Sequence, residues 1–479
     1  MSSTSKYNKN LVIVIASIAA TGGLLFGFDT GVISGAIPFL QDYFVLTDSQ
    51  VENITALGLI GAVVGALLTG RITDYLGRKK VILASAFVFA TGAIWTGFAP
   101  SVTQLMISRF YLGLAIGISS FSVPLYISEI SPTKIRGWLV SMFQLLITVG
   151  ILAAYLSDNA IADNNNLECW RPMLWVGVIP AIILFSGMIF MPETPRWLMN
   201  KGRDEDARKI LDRIEDPAFI DSSITEMKKE MAIDSGQQGI RVIFKPWLRN
   251  ALIIAVGIMF FQQFVGINTV IYYSPKIFLA AGFEGAEAAI AASVIVGAVN
   301  VLFTIVSLFV IDKLGRRKLY FIGLTGIFFA LVGMGLGFII PGAGKWFLVV
   351  SMLVYIAFFA ISLGPLGWLM VTEVFPTKVR GLGASIGSLS NWGFNTLVVW
   401  TFYKMAHGIA NAKDVVVPAG KDVSEVCHSC VGGVFWIFAA VALIGLVWGY
   451  FYMPETKGVS LEQIEHHWRE GGKPRKLKK

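Results

Sequence analysis

Apolar residues along this chain come in runs of about 20, broken by short polar stretches, and about 20 residues of helix cross a bilayer core of roughly 30 Å. The pattern predicts twelve spanning helices. Spans 1 to 6 fall at 11–38, 52–75, 80–99, 103–128, 138–158 and 172–191. Spans 7 to 12 fall at 248–280, 286–311, 318–340, 346–371, 380–408 and 432–453. The expected organisation is therefore a first six-helix half at 11–195, a polar linker at 196–247, a second six-helix half at 248–453 and a tail at 454–479. Within the linker, 204–214 and 224–233 carry helical patterning, and no folded soluble domain fits there. The polar opening from Met1 to Asn10 and the length of the first apolar run point away from a cleavable signal.

Composition agrees with a lipid-facing surface. Of the 479 residues 55% are hydrophobic and 15% charged, against about 25% charged in a soluble domain. The net charge of +8 invites a nucleic-acid reading, but the charges are placed asymmetrically. With the N-terminus in the cytosol, outside loops hold only Arg171, Lys276, Lys345, Lys404, Lys413 and Lys421, Arg109 falls within a span, and every other Lys or Arg lies inside. That is the positive-inside signature. It predicts a multi-pass protein of the cell (plasma or inner) membrane with both termini cytosolic, whose partner is the lipid bilayer and no nucleic acid. Cys427 and Cys430 allow a disulfide or half of a metal site; without a second ligand pair, metal binding is not expected. No nucleophile, metal cluster or cofactor loop marks an enzyme, and no cofactor is expected.

Three motifs occur twice. Leu76-Gly-Arg-Lys-Lys80 returns as Leu314-Gly-Arg-Arg-Lys318, Pro132-Thr-Lys-Ile-Arg-Gly137 as Pro376-Thr-Lys-Val-Arg-Gly381, and Met191-Pro-Glu-Thr-Pro195 as Met453-Pro-Glu-Thr-Lys457. Each copy follows the corresponding even-numbered span, so the second half repeats the first. Two like-oriented halves imply a pseudo-two-fold axis along the membrane normal, a substrate site between them at the midplane, and rocking of one half against the other. The motifs also gather acids and arginines at the inner helix ends: Asp74, Arg78, Glu129, Arg136, Glu193 and Arg196, then Asp312, Arg316, Glu373, Arg380 and Glu455. They are expected to form a cytosolic gate, closed when the carrier opens outward and parted when it opens inward.

Two ionisable residues sit deep in spans, Asp29 in span 1 and Arg109 in span 4. A charge at that depth costs about 2.5–3.5 kcal/mol or more, so it needs a partner and a task. A static pair would orient two helices. A functional pair would let Asp29 carry a proton, because the guanidinium cannot release its own. Span 7 adds Gln262, Gln263 and Asn268, followed by Tyr272 and Tyr273. Amides offer donors and an acceptor to a polar ligand's hydroxyls, and aromatic rings cover apolar ligand faces. Gly266 and Pro275 should let this helix bend beside such a site. The bland alternative for any one amide is an interhelical hydrogen bond.

Together, Gly70-Arg-Ile-Thr-Asp74-Tyr-Leu-Gly77-Arg78, Pro192-Glu-Thr-Pro-Arg196, Gln262-Gln-Phe-Val-Gly266-Ile-Asn268 and Pro454-Glu-Thr-Lys457 resemble the sugar porter family of the major facilitator superfamily. Within it the bacterial galactose/glucose–proton symporters look closest. The resemblance spans nearly the whole chain and implies the major facilitator fold, an all-α membrane protein of twelve transmembrane helices in two pseudo-symmetric halves with a short cytosolic helical linker. It implies a monosaccharide substrate with a proton as co-substrate, and a monomer. By position in the family's motifs, Gln144, Asn300, Gly364, Trp368, Asn391, Trp392 and Asn395 join Gln262, Gln263, Asn268 and Tyr273 as expected sugar-site residues. Proton-coupled members carry an acid where Asp29 stands; facilitative carriers have a non-ionisable residue. Ile151 occupies the place of a second glutamine in xylose–proton symporters, and the loop from Gln41 to Gln50 is short. Both departures favour a hexose, glucose or galactose. A pentose (xylose or arabinose) symporter, a facilitative uniporter and a non-transporting sugar sensor remain the alternatives.

Overall fold

The structure, a computed structural model, describes residues 8–132, 135–215, 217–234, 240–340, 345–376, 379–418, 422–459 and 461–477. Among them there are helices and no strands. In the first half, spans 1 to 5 are Lys9–Phe44, Asp48–Leu76, Arg78–Gly97, Val102–Ile130 and Arg136–Ile161; span 6 is two pieces, Trp170–Val176 and Val178–Phe190. In the second, span 7 is Arg249–Phe264, Ile267–Tyr272 and Ser274–Ala280, followed by span 8 at Gly285–Leu314 and span 9 at Arg316–Ile339. Span 10 is Lys345–Ile361 and Leu363–Glu373, span 11 is Arg380–Ala412 and span 12 is His428–Tyr452.

Eleven of these helical segments are long and apolar enough to cross a membrane. Span 11 falls outside that set although it is a single helix of 33 residues. The reason is its polar content, with Asn391, Asn395, Lys404, His407 and Asn411 along its length. Span 2 begins one turn earlier than its apolar run, because Thr47 and Gln50 form a reciprocal capping box that starts the helix at Asp48.

Packing partners repeat between the halves. Span 1 lies on span 5 as span 7 lies on span 11, span 2 on span 4 as span 8 on span 10, and span 3 on span 6 as span 9 on span 12. The halves meet through spans 1 and 7, 2 and 11, and 5 and 8. Exchanging the halves turns the 2–11 contact into the 5–8 contact, as a two-fold axis requires.

The linker folds as Pro195–Asn200, Asp204–Ile214, Pro217–Asp234 and a short 3-10 turn at Ile240–Phe244. Ala207, Leu211 and Ile214 give the second of these a buried stripe at helical spacing. The tail is anchored. Its helix Leu461–Arg469 buries Trp468, whose indole N–H donates to the Val374 carbonyl at 2.9 Å just past span 10. Below, the linker end is the membrane face carrying these segments, and the far end is the opposite one.

Candidate functional site

Asp29 and Arg109 meet. The guanidinium donates from both terminal nitrogens to the two carboxylate oxygens, Nη2 to Oδ2 at 2.8 Å, and the residues are 3% and 1% exposed. Paired charges in this fork geometry satisfy one another where neither alone would be tolerated. A small void lined by Phe28, Val32, Phe89 and Leu112 adjoins Asp29.

The next residue along span 1 reaches the other half. Thr30 Oγ1 lies 3.4 Å from the Tyr272 hydroxyl, and Ser34 and Tyr155 both donate to the Ile271 carbonyl at 2.8 Å. Tyr272 ends the short middle piece of span 7, and the helix is interrupted on both sides of that piece. Gly266 has φ +89, and a Cβ there would lie 2.4 Å from the Phe438 ring, so the break needs glycine. The second break falls at Tyr273, before Ser274-Pro275. The bend expected from Gly266 and Pro275 is thus two breaks. The break in span 10 at Ser362 was not expected; Pro365, three residues on, is the signal that marked it.

The amides cluster beside the breaks in spans 7 and 10. Gln262 Nε2 donates to the carbonyls of Leu363 and Gly364 at 2.8 and 3.0 Å. Its Oε1 accepts from Asn391 at 2.6 Å and, weakly, from Gln263 at 3.4 Å. Asn268 donates to Gln263 Oε1 at 2.7 Å. Gln262, Gln263, Asn268, Gly364 and Asn391 therefore form one connected set. Asn395, one turn along the same face of span 11, buries its Oδ1 with no hydrogen-bond partner among the described residues. Asn300 is buried on span 8, and Gln144 and Trp368 are half-buried on spans 5 and 10.

Two expected ligands have other work in this state. Trp392 bridges the halves, its indole N–H donating to Ser120 Oγ at 3.2 Å and its ring 4.9 Å from Phe26. Tyr273 is fully buried, stacked on Phe402, with its hydroxyl 3.4 Å from the Val399 carbonyl.

At the linker end, the acids and arginines form one network per half. Arg78 holds Asp74 and Glu129, each at 3.1 Å, and Glu193 accepts the N–H groups of Arg78 and Lys79. Burial pushes the Glu193 carboxyl above its usual range, against the backbone bonds of Thr194 and Lys79 and the charge of Arg78. Arg316 holds Asp312 at 3.0 Å and Glu373 at 2.9 Å, while Glu455 accepts from Arg316 and Arg317 N–H. Arg136 starts span 5 and Arg196 lies in the first linker helix, both engaged. The Arg380 side chain lies outside the described residues.

Sequence reasoning missed several far-end groups. Asp48, Glu52 and Asp422 are buried there, and Asp158 is fully buried with neither carboxyl oxygen hydrogen-bonded among the described residues. Asp48, Glu52 and Asp158 lie at or near the end of a predicted span and Asp422 lies in the loop between spans 11 and 12, places where an acid reads as solvated. Cys427 and Cys430 form a disulfide.

The family model for sugar (and other) transporters matches residues 15–468. The glucose transporter GlcP of Staphylococcus epidermidis is 39% identical over 467 residues, covering 97% of this chain and 98% of that one. The galactose-proton symporter of Escherichia coli is 36% identical over 485 residues, covering 98% of this chain and 97% of that one. Among solved structures, the proton:xylose symporter XylE bound to 6-bromo-6-deoxy-D-glucose matches with a TM-score of 0.80 and 31% identity, over 96% of this chain and 100% of that one. The chain is a multi-pass membrane transporter, not an enzyme, and it belongs to the sugar porter family of the major facilitator superfamily.

Proposed function

We propose that the protein is a proton-coupled symporter of a hexose, glucose or galactose, working by alternating access with both termini in the cytosol. The observation that carries this reading is the Asp29–Arg109 pair, buried at the shoulder of a broken helix that holds the amide set. Ionised, Asp29 clamps span 1 to span 4. A proton on Asp29 removes the charge that Arg109 holds and frees span 1 to shift. Thr30 adjoins Asp29 in sequence and Tyr272 in space, so that shift reaches span 7.

The amide set suits reversible binding. Its members already satisfy one another, so a sugar exchanges hydrogen bonds and gains only the small net difference. The 3.4 Å link between Gln263 and Gln262 is the weakest and the easiest for a hydroxyl to replace. The unpartnered Asn395 Oδ1 offers an acceptor that costs nothing to engage. One proton moving down about 100 mV supplies ~2.3 kcal/mol, enough for a sugar gradient of roughly forty-fold. The relatives named above transport glucose, or galactose or xylose with a proton, which supports the class of substrate and co-substrate.

The test is uptake of labelled glucose and galactose into liposomes under an imposed pH gradient, for wild type beside Asp29→Asn. Accumulation lost in the variant with sugar exchange retained is the expected result. Equilibration without accumulation in wild type would make the protein a uniporter and the ion pair structural. Movement of xylose or arabinose with neither hexose would overturn the substrate and leave the mechanism.

A further inference from the structure

Between the halves at the far end, three carboxyls are buried that the mechanism above does not use. Asp48 and Glu52 occupy the first turns of span 2, and Asp422 precedes the short helix Val423–Val426. They are 6%, 1% and 4% exposed. Every bond named for Asp48 and Glu52 reaches the second half. Asp48 Oδ2 accepts the Val423 N–H at 3.0 Å and lies 2.9 Å from His407 Nε2, and its side chain adjoins that of Asp422. Glu52 Oε1 accepts the N–H groups of Tyr403 and Lys404 on span 11 at 2.6 and 3.2 Å. Asp422 is already served, by Gln41 from span 1 and by Lys276 from span 7. Burial, the largest single influence, pushes its carboxyl up, but Lys276, the Asp48 side chain and Gln41 together hold it below the usual range.

The charges here do not balance. Lys276 faces Asp422, and Lys404 stands 3.9 Å from Glu52 with its side chain 48% exposed. Among the described residues, two ammonium groups face three carboxyls. Asp42 also faces Lys276 and Asp422 but is solvent-exposed, and the Tyr273 and Tyr403 side chains stand nearby. Lys421 and the Glu425 side chain lie outside the described residues. Asp48 Oδ1 and Glu52 Oε2 are both buried with no hydrogen-bond partner among the described residues. Two adjoining carboxyls in a buried site cannot both stay ionised, and Asp422 has the better claim to the charge.

We propose that closing the far end loads one proton onto the carboxyls of Asp48 and Glu52, a second proton site separate from Asp29. With that proton, Asp48 Oδ1 becomes a donor to Asp422. In the open state span 2 draws away from span 11, the carboxyls regain water and ionise, and repulsion between Asp48 and Asp422 holds the gate apart. The proposal rests on the proton-coupled reading and extends it: external acid drives closure as well as loading Asp29. The closed state binds one proton more than the open state, so acid favours closure and rising pH undoes it. The closed-to-open ratio then changes by up to tenfold per pH unit within the titration window.

The test is the far-end distance between spin labels at Asn165→Cys and Val416→Cys, exposed positions in the first and second halves, measured in reconstituted full-length protein from about pH 5 to 8. The expected result is a closed-to-open ratio rising about tenfold per unit of acidification over part of this range. That dependence should persist in Asp29→Asn and flatten in Asp48→Asn with Glu52→Gln. A double variant that keeps the wild-type dependence overturns the proposal. So does a flat profile in Asp29→Asn, which decides the matter by itself if the double variant does not fold. Sugar accumulation is a separate readout: closure that stays pH-dependent in a wild type that cannot accumulate sugar would sink the coupling at Asp29 and leave this site standing.

Discussion

The two halves are near copies at the linker end and unlike at the midplane. At the linker end, an arginine after a positive-φ glycine binds two acids, and a third acid caps the next helix. The positions are Gly77, Arg78, Asp74, Glu129 and Glu193 in one half and Gly315, Arg316, Asp312, Glu373 and Glu455 in the other. Even the threonine after the capping acid repeats, with Thr194 donating to Glu129 and Thr456 to Glu373. At the midplane, the first half holds a single ion pair and the second a chain of amides. The difference separates common machinery from particular chemistry. Under the proposed mechanism both halves rock, and both keep the same helix-end joints. On the same reading proton and sugar need opposite things, a group that changes charge and groups that never do.

The comparison can be broken most directly at the midplane. Gln262→Ala removes an amide with four hydrogen-bonded contacts; a loss of about 1–3 kcal/mol should weaken sugar binding about five- to 150-fold while uptake stays pH-driven. Asp29→Asn should do the reverse, leaving exchange affinity within a few-fold and abolishing accumulation. Matching losses of affinity and coupling in both variants, read from exchange and uphill uptake in the same liposomes, would dissolve the division of labour.

A smaller effect should separate the copied joints by burial alone. The Glu129 side chain is 6% exposed and that of Glu373 is 23%. Removing Glu129 leaves the buried Arg78 with only the exposed Asp74 as partner, at a cost of up to about 3 kcal/mol, and solvent screens the more exposed copy. Glu129→Gln should therefore lower the unfolding temperature in detergent more than Glu373→Gln. Both should change labelling of a cysteine placed on the linker side, since both joints move when the carrier switches. An unchanged labelling rate in either variant would reduce that joint to a structural tie.

The smallest expected effect tests whether the joints are geometrically alike. Gly77 and Gly315 have φ +97 and +85, and a Cβ at each would lie 2.3 and 2.5 Å from Glu193 Oε2 and Glu455 Oε2. Alanine at either should cost about 1–3 kcal/mol for the backbone, plus displacement of the capping acid. Thermal unfolding of the two variants should agree closely. A large difference would mean that the two turns are not equivalent.

The sequence alone determined what local spacing encodes. Runs of apolar residues set twelve spans, repeated motifs set two halves, Gly266 set a break in span 7, and the depth of Asp29 and Arg109 marked them as partners because an unpaired charge there is prohibitive. The linker helix Asp204–Ile214 was legible to the residue, since its stripe is periodic. Only the tertiary structure decided which groups face each other across the halves. Trp392 against Ser120, Thr30 against Tyr272 and Glu52 against the Tyr403 N–H join residues more than 240 positions apart. No periodicity within a helix carries that register. It is fixed by how two packed bundles rotate against each other, and in a carrier that rotation is the quantity that changes.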